Sequence, residues 1–285
     1  GDERMVKRYV FATLLAALLV MGCSSDHGLA PVSGRLVVDV FFRGTPPPTT
    51  QGIYLIVAPQ FPPHAINELY HSSNSLPIGR DSVRAVIDLP YGHYDAISLW
   101  WYSNETKSNL ADVLALPIVQ DSAGVWGAKG FDLTRNNPSD YVKLYPDWNK
   151  VNRDASLEGT ITFSGPFPKN TLATAIAAYA YEPKSNIEYL LYMKSIDFSI
   201  GANPYKFKLP IRSGTVSYLV VLWLPERAAV TGFTELGFYQ DPGAPGLPAK
   251  LKIKAGETRT GLDIQADWSK AEQAVWSAAG KEGRE

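Results

Sequence analysis

The chain contains the same landmarks twice, in the same order, and this internal duplication most constrains what it can fold into. The first half opens with Val32-Ser33-Gly34-Arg35-Leu36-Val37 and the second with Leu157-Glu158-Gly159-Thr160-Ile161-Thr162, each a glycine-marked strand. Midway, Leu89-Pro90-Tyr91-Gly92-His93-Tyr94 leads into Ala96 to Trp101, and Leu209-Pro210-Ile211-Arg212-Ser213-Gly214 leads into Leu219 to Leu224. In both, a turn containing Pro and Gly feeds a long apolar strand. Gln120-Asp121 before Gly124 and Gln240-Asp241 before Gly243 mark the same loop, and Asp147-Trp148 and Asp267-Trp268 close the two halves.

Between the landmarks lie short runs bounded by Gly, Pro, Asn or Asp. In the second half these predict strands over Ser156 to Phe163, Leu172 to Tyr181, Glu188 to Met193, Tyr205 to Leu209, Thr215 to Leu224, Glu235 to Tyr239, Ala249 to Ile253 and Thr258 to Ile264. Sustained helical periodicity is confined to the N-terminal segment and the last turns near Ala271 to Ala279. Twelve percent aromatic residues, 23 Gly and 21 Pro agree with an all-β chain rich in turns. The expected fold class is therefore all-β, two tandem Greek-key β-sandwiches preceded by an N-terminal lipoprotein signal peptide. The polar stretch Asn149 to Ala155 separates them, and its shortness restricts how far the halves can tilt. The division is residues 1–22 signal peptide, 23–31 tether, 32–150 first repeat, 156–270 second repeat and 271–285 tail.

The Gly159 to Thr162 opening, the Pro-turn-Gly entry to each central strand and the closing Gly261-Leu262-Asp263-Ile264 strand resemble the transthyretin-like, or carboxypeptidase regulatory-like, β-sandwich. The resemblance implies a seven-stranded Greek-key sandwich per repeat and an accessory or binding role. In that family the hydroxyisourate hydrolases end in a Tyr-Arg-Gly-Ser-type tail that builds their active site. This sequence ends Gly280-Lys281-Glu282-Gly283-Arg284-Glu285, without it.

The N-terminal segment gives an address. Lys7 and Arg8 precede an apolar stretch, Tyr9 to Met21, too short to span a bilayer comfortably, and Val20-Met21-Gly22-Cys23 ends it. That pattern resembles a bacterial lipobox, with Met21 in place of the usual small residue. It implies diacylation of Cys23 and cleavage before it, with Met5 as the start of translation. Ser24-Ser25-Asp26 and Gly28 then form a flexible tether, and Ser24 agrees with sorting to the outer membrane. Cys23 is the only cysteine, so no internal disulfide can form and packing alone must hold the fold.

Net charge −1 gives no basic field for nucleic acid. Catalytic patterns are absent from the sequence: no Gly-x-Ser-x-Gly elbow occurs, and nothing pairs any two of Asp88, Asp95, Glu105 and Asp112 for glycoside hydrolysis. His64 and His71 lack metal-ligand spacing and a thiol partner, and the Gln-Asp loops hold too few oxygen ligands for calcium. No cofactor is expected beyond the covalent lipid on Cys23. Candidates for ligand contact are His64 and His71, in a first-half segment without an obvious second-half counterpart, and Trp126 in the Gly124 to Gly130 loop. Trp101 joins them, because Trp100 and Trp101 must point to opposite faces of one strand. The reading is a non-catalytic, membrane-anchored envelope lipoprotein acting as a binding or structural module. A glycan-binding surface is the alternative, and a hydrolase using loop carboxylates is the weakest. Its partners are the membrane through the lipid, and an envelope protein complex or a glycan.

Overall fold

The computed structural model describes residues 33–104, 110–226, 228 and 232–271. The expected signal peptide, Cys23, the expected tether to Pro31 and the segment beyond Ala271 lie outside the described residues. The fold is all-β. In the first half the strands are β1 (Ser33–Phe41), β2 (Thr50–Ala58), β3 (Tyr70–His71), β4 (Ser82–Pro90), β5 (Gly92–Tyr94) and β6 (Ala96–Ser103). They continue with β7 (Val113–Ala115), β8 (Ile118–Gln120), β9 (Trp126–Ala128), β10 (Phe131–Leu133) and β11 (Ser139–Leu144). Two sheets, β11-β1-β4 and β3-β2-β6-β7, face each other, and alternation decides what lies between them. Leu36, Val38 and Val40 of β1 and Ile53, Leu55 and Val57 of β2 point inward and are fully buried.

The second half uses β12 (Ala155–Ser164), β13 (Thr171–Tyr179), β14 (Met193–Asp197), β15 (Tyr205–Ile211), β16 (Gly214–Val216) and β17 (Tyr218–Pro225). Then come β18 (Thr234–Phe238), β19 (Gln240–Asp241), β20 (Ala244–Pro248), β21 (Leu251–Ile253), β22 (Thr258–Arg259) and β23 (Ile264–Asp267). Their pairing repeats the first set: β15-β12-β22 with β23 also on β12, then β14-β13-β17-β18, β16-β21 and β19-β20. In both sets the opening strand runs parallel to the closing one and antiparallel to its partner on the other side, β4 or β15, and in the second set β22 joins β23 in pairing parallel to β12.

Side chains repeat as closely as strands. Trp148 stacks on Phe42 at 5.1 Å and 12°, Trp268 on Phe163 at 4.3 Å and 12°, and all but Phe42 are buried. Asp147 and Asp267 each accept the backbone N–H two residues on, at 3.0 and 2.9 Å. The Trp101 indole donates to Thr50 Oγ1 at 2.9 Å and that hydroxyl to the Pro47 carbonyl at 2.7 Å. Trp223, Thr171 and Pro168 repeat the chain at 2.8 and 2.8 Å.

Three sequence expectations are corrected. Glu188 to Met193 is not a strand: α1 (Asn186–Leu191) is a helix and β14 begins only at Met193. Ile187 and Leu190, three apart, bury one helical face, and Glu188 accepts the Lys184 N–H at 2.6 Å at its start. The expected Thr258 to Ile264 strand breaks into β22 and β23, because Gly261 takes φ +75° and Leu262 turns its N–H to the Glu158 carbonyl. Trp126 lies on β9, paired through Gln120 to β8, and not in a loop.

The halves meet along a described contact. Leu110–Asp112, a short 3-10 turn of the first half, inserts Ala111 into an apolar cluster on the outer face of β13 and β17, with Ala175, Ala177, Tyr179, Val220 and Leu222. Covered on both faces, β13 and β17 read as nearly unbroken apolar runs rather than alternating ones. The 149–155 stretch is fixed by hydrogen bonds. Arg153 reaches Asp112 at 3.3 Å and the Lys150 and Asn152 carbonyls at 3.0 and 3.1 Å, while Asp154 accepts from the Ser213 N–H and hydroxyl at 2.7 and 2.9 Å.

Candidate functional site

The outward face of β11-β1-β4 is the most distinctive surface among the described residues. Register builds it in rows. Ser139, Arg35 and Asp88 lie side by side, then Tyr141, Val37 and Val86, then Lys143, Asp39 and Arg84. Phe41 stacks on Tyr145 at 5.4 Å one row further on. Val86 is 51% exposed, Tyr141 44% and Tyr145 69%, so the middle row and the far end present apolar and aromatic surface to solvent.

Charged rows flank that middle. Arg35 Nε donates to Asp88 at 3.1 Å. Arg84 grips Asp39 with Nε at 2.7 Å and Nη2 at 2.9 Å, and the Tyr141 hydroxyl donates to the same carboxylate. Those hydrogen bonds, Arg84 first, hold the Asp39 carboxyl far below the usual carboxylate range. The Asp39 bond in turn pushes the Tyr141 phenol up. At neutral pH Asp39 is therefore ionised and Tyr141 protonated, so the phenol remains a donor to that carboxylate.

The duplication supplies an internal control. Counting back from the stacked Phe42 and Phe163, Val37 and Phe41 correspond to Glu158 and Thr162. The strand partner of Val37 is Val86 and that of Glu158 is Lys208, while Tyr145, three before Trp148, corresponds to Gln265. The same scaffold thus carries an apolar-aromatic face in one half and a polar one, with a Lys208–Glu158 pair at 2.9 Å, in the other. Since the fold tolerates polar residues there, folding does not require the apolar ones.

His93 lies elsewhere, between two carboxylates: Nδ1 is 2.8 Å from Asp132 and Nε2 3.0 Å from Asp95, whose other oxygen accepts the Phe61 N–H at 2.8 Å. The Asp132 hydrogen bond above all raises its pKa from the usual histidine value. Each ring nitrogen already faces a carboxylate, so once protonated the imidazolium donates from both and has none left to act as a base. The arrangement ties β5 to β10 across a shallow depression and serves as a clamp.

The residues singled out from sequence do not converge. Trp101 is 1% exposed and hydrogen-bonded inside the first core, so it is corrected from ligand candidate to core residue: the inward side of β6 claimed it. Trp126 is 46% exposed, on a strand that comes up against α1 of the second half. His64 and His71 are both exposed. The His64 backbone N–H donates to Glu68, and the His71 ring Nδ1 lies 3.0 Å from the Ser72 carbonyl. Their segment does have a second-half counterpart, since β3 and β14 hold the same place beside β2 and β13. No cluster of three or more His, Cys, Asp or Glu suited to a metal occurs among the described residues. Sequence reasoning passed over Phe41, Tyr141, Tyr145 and Val86, which are ordinary strand residues until the register sets them in rows.

No family model and no curated protein matches the chain. Among solved structures it is similar to a leucine-rich repeat protein from Bacteroides thetaiotaomicron, at 11% identity and TM-score 0.32, covering 87% of this chain and 29% of that one. A streptococcal ancillary pilin gives 13% identity and TM-score 0.23, covering 83% of this chain and 63% of that one. The minor pilin of Streptococcus agalactiae gives 10% and 0.24, covering 81% and 95%. The chain thus spans under a third of the first and under two thirds of the second. At such identities and scores the likeness is no guide to activity or partner.

Proposed function

We propose that this protein is a non-catalytic module of the bacterial envelope, anchored to the outer membrane by lipid on Cys23, in which two transthyretin-like sandwiches present the β11-β1-β4 face to a protein partner. One observation carries the reading: of two equivalent sheet faces on a duplicated scaffold, one has Val37, Val86, Tyr145 and Phe41 where the other has Glu158, Lys208, Gln265 and Thr162. Positions shared by both halves serve the fold, and apolar residues exposed on one half alone are free to serve recognition. The alternation of rings with ion pairs suits an interface core with charged flanks.

A photo-crosslinking side chain placed at position 86 in cells should yield protein adducts, while the same probe at position 208 should yield few. Equal labelling at the two positions would sink the proposal. Anchoring has its own test: Cys23→Ala is expected to leave the chain unprocessed or to move it out of the detergent phase in partitioning. Unchanged processing and partitioning would remove the lipid from this account.

A further inference from the structure

The charges on the β11-β1-β4 face form a checkerboard. Along β1, positive Arg35 and negative Asp39 flank Val37, and along antiparallel β4, negative Asp88 and positive Arg84 flank Val86. Opposite charges on one strand lie four residues apart, about 13 Å. A second identical face can be laid on this one by a two-fold axis lying between the faces, at right angles to the strands and through the Val37–Val86 row. That operation sets Arg35 over Asp39 and Asp88 over Arg84 of the second copy, and sets Val37, Val86 and Tyr141 each over its own equivalent. Every charge on β1 and β4 then meets its opposite, and the apolar row meets itself.

We propose that the β11-β1-β4 face binds a second copy of this chain, forming an isologous, face-to-face dimer about that axis. The donors needed are free of the in-plane pairs. Arg35 engages Asp88 through Nε alone, and Arg84 keeps Nη1 after gripping Asp39 with Nε and Nη2. Facing sheets about 10 Å apart bring the middle-row side chains of the two copies into contact across the axis. The equivalent second-half face forbids the same arrangement, because an axis through the Glu158–Lys208 row sets Lys208 over Lys208 and Glu158 over Glu158. Three strands make a small footprint, so the dimer population should rise with concentration through the micromolar range.

The proposal rests on reading this face as a binding surface, and the test separates the two. Sedimentation velocity of the purified full chain in detergent, as a concentration series, should show monomer passing to dimer. The double swap Arg35→Asp/Asp88→Arg keeps an in-plane pair yet puts like charge on like across the axis. It should weaken self-association at least about tenfold with the melting temperature little changed. Val86→Lys, which copies the second half, should do the same should the swap fail to fold. A wild-type chain that stays monomeric up to about 0.5 mM, or a folded swap or Val86→Lys variant that dimerises like wild type, overturns the dimer. A monomeric chain that still crosslinks through position 86 to a different protein overturns self-association alone and leaves the binding face standing.

Discussion

Replacing Asp112 with Ala is expected to cost the folded chain about 3–5 kcal/mol, the loss typical of stranding one member of a buried ion pair. The Asp112 and Arg153 side chains are only 3% and 8% exposed, and Arg153 Nη2 lies 3.3 Å from the Asp112 carboxylate. Loss of hydration pushes the Arg153 guanidinium down, and Asp112 is the charge that opposes this, with Arg212 adding repulsion. Lys150, pushed down to about 8 by lost hydration and by Arg212 and Arg153, belongs to the same crowd. Without Asp112, the buried Arg153 guanidinium keeps Lys150 and Arg212 as like-charged neighbours and loses the carboxylate that opposes them. Urea unfolding would measure the loss. Asp112→Ala/Arg153→Met should recover part of it, since the buried guanidinium without a counter-charge is gone, while its bonds to the Lys150 and Asn152 carbonyls are lost with it. A single-mutant loss under about 1 kcal/mol would mean that the pair behaves as an exposed one.

Trp223→Ala should be as damaging, about 3–5 kcal/mol, because the ring is fully buried and its removal opens a cavity between sheets that cannot collapse freely. Its indole N–H is also committed to Thr171, so Thr171→Ala should cost a further measurable share, about 1–3 kcal/mol, by leaving a buried donor without its acceptor. Trp101 with Thr50 predicts a matching pair of losses in the first half. Thermal melts of the single variants would check this. A Trp223→Ala chain within about 1 kcal/mol of wild type would show that the repeated Trp–Thr–Pro chain is incidental to packing.

Much of the architecture was legible because duplication prints the same physical need twice. Asp147-Trp148 and Asp267-Trp268 are readable as paired closures, and both rings do stack on a phenylalanine within one residue of the end of the opening strand. Local signals were misread where a second period was available. Ser185-Asn186-Ile187-Glu188 has the spacing of a helix start, yet the aromatic and branched residues after it favoured a strand. Trp100 and Trp101 were correctly split between faces, but which of them was core depended on the register with β2, a long-range fact. The sheet face was illegible for the same reason. Val37, Val86 and Tyr141 are separated by dozens of residues and become one row only after antiparallel and parallel pairing are both fixed.

The parallel pairing of the opening and closing strands has a mechanical meaning. The chain enters the first half at Ser33 on β1 and leaves it at Leu144 on β11, from opposite ends of two strands pointing the same way, in register from Arg35 with Ser139 to Val40 with Leu144. Tension applied between the two ends therefore drags β1 and β11 past each other along their length. The hydrogen bonds between them are loaded together in shear, instead of being peeled open one at a time. The second half, entered at Ala155 on β12 and left at Asp267 on β23, is strung the same way. Both halves in series would extend little under a pull that unzips an antiparallel hairpin, with rupture governed by the unfolding rate and not by equilibrium stability.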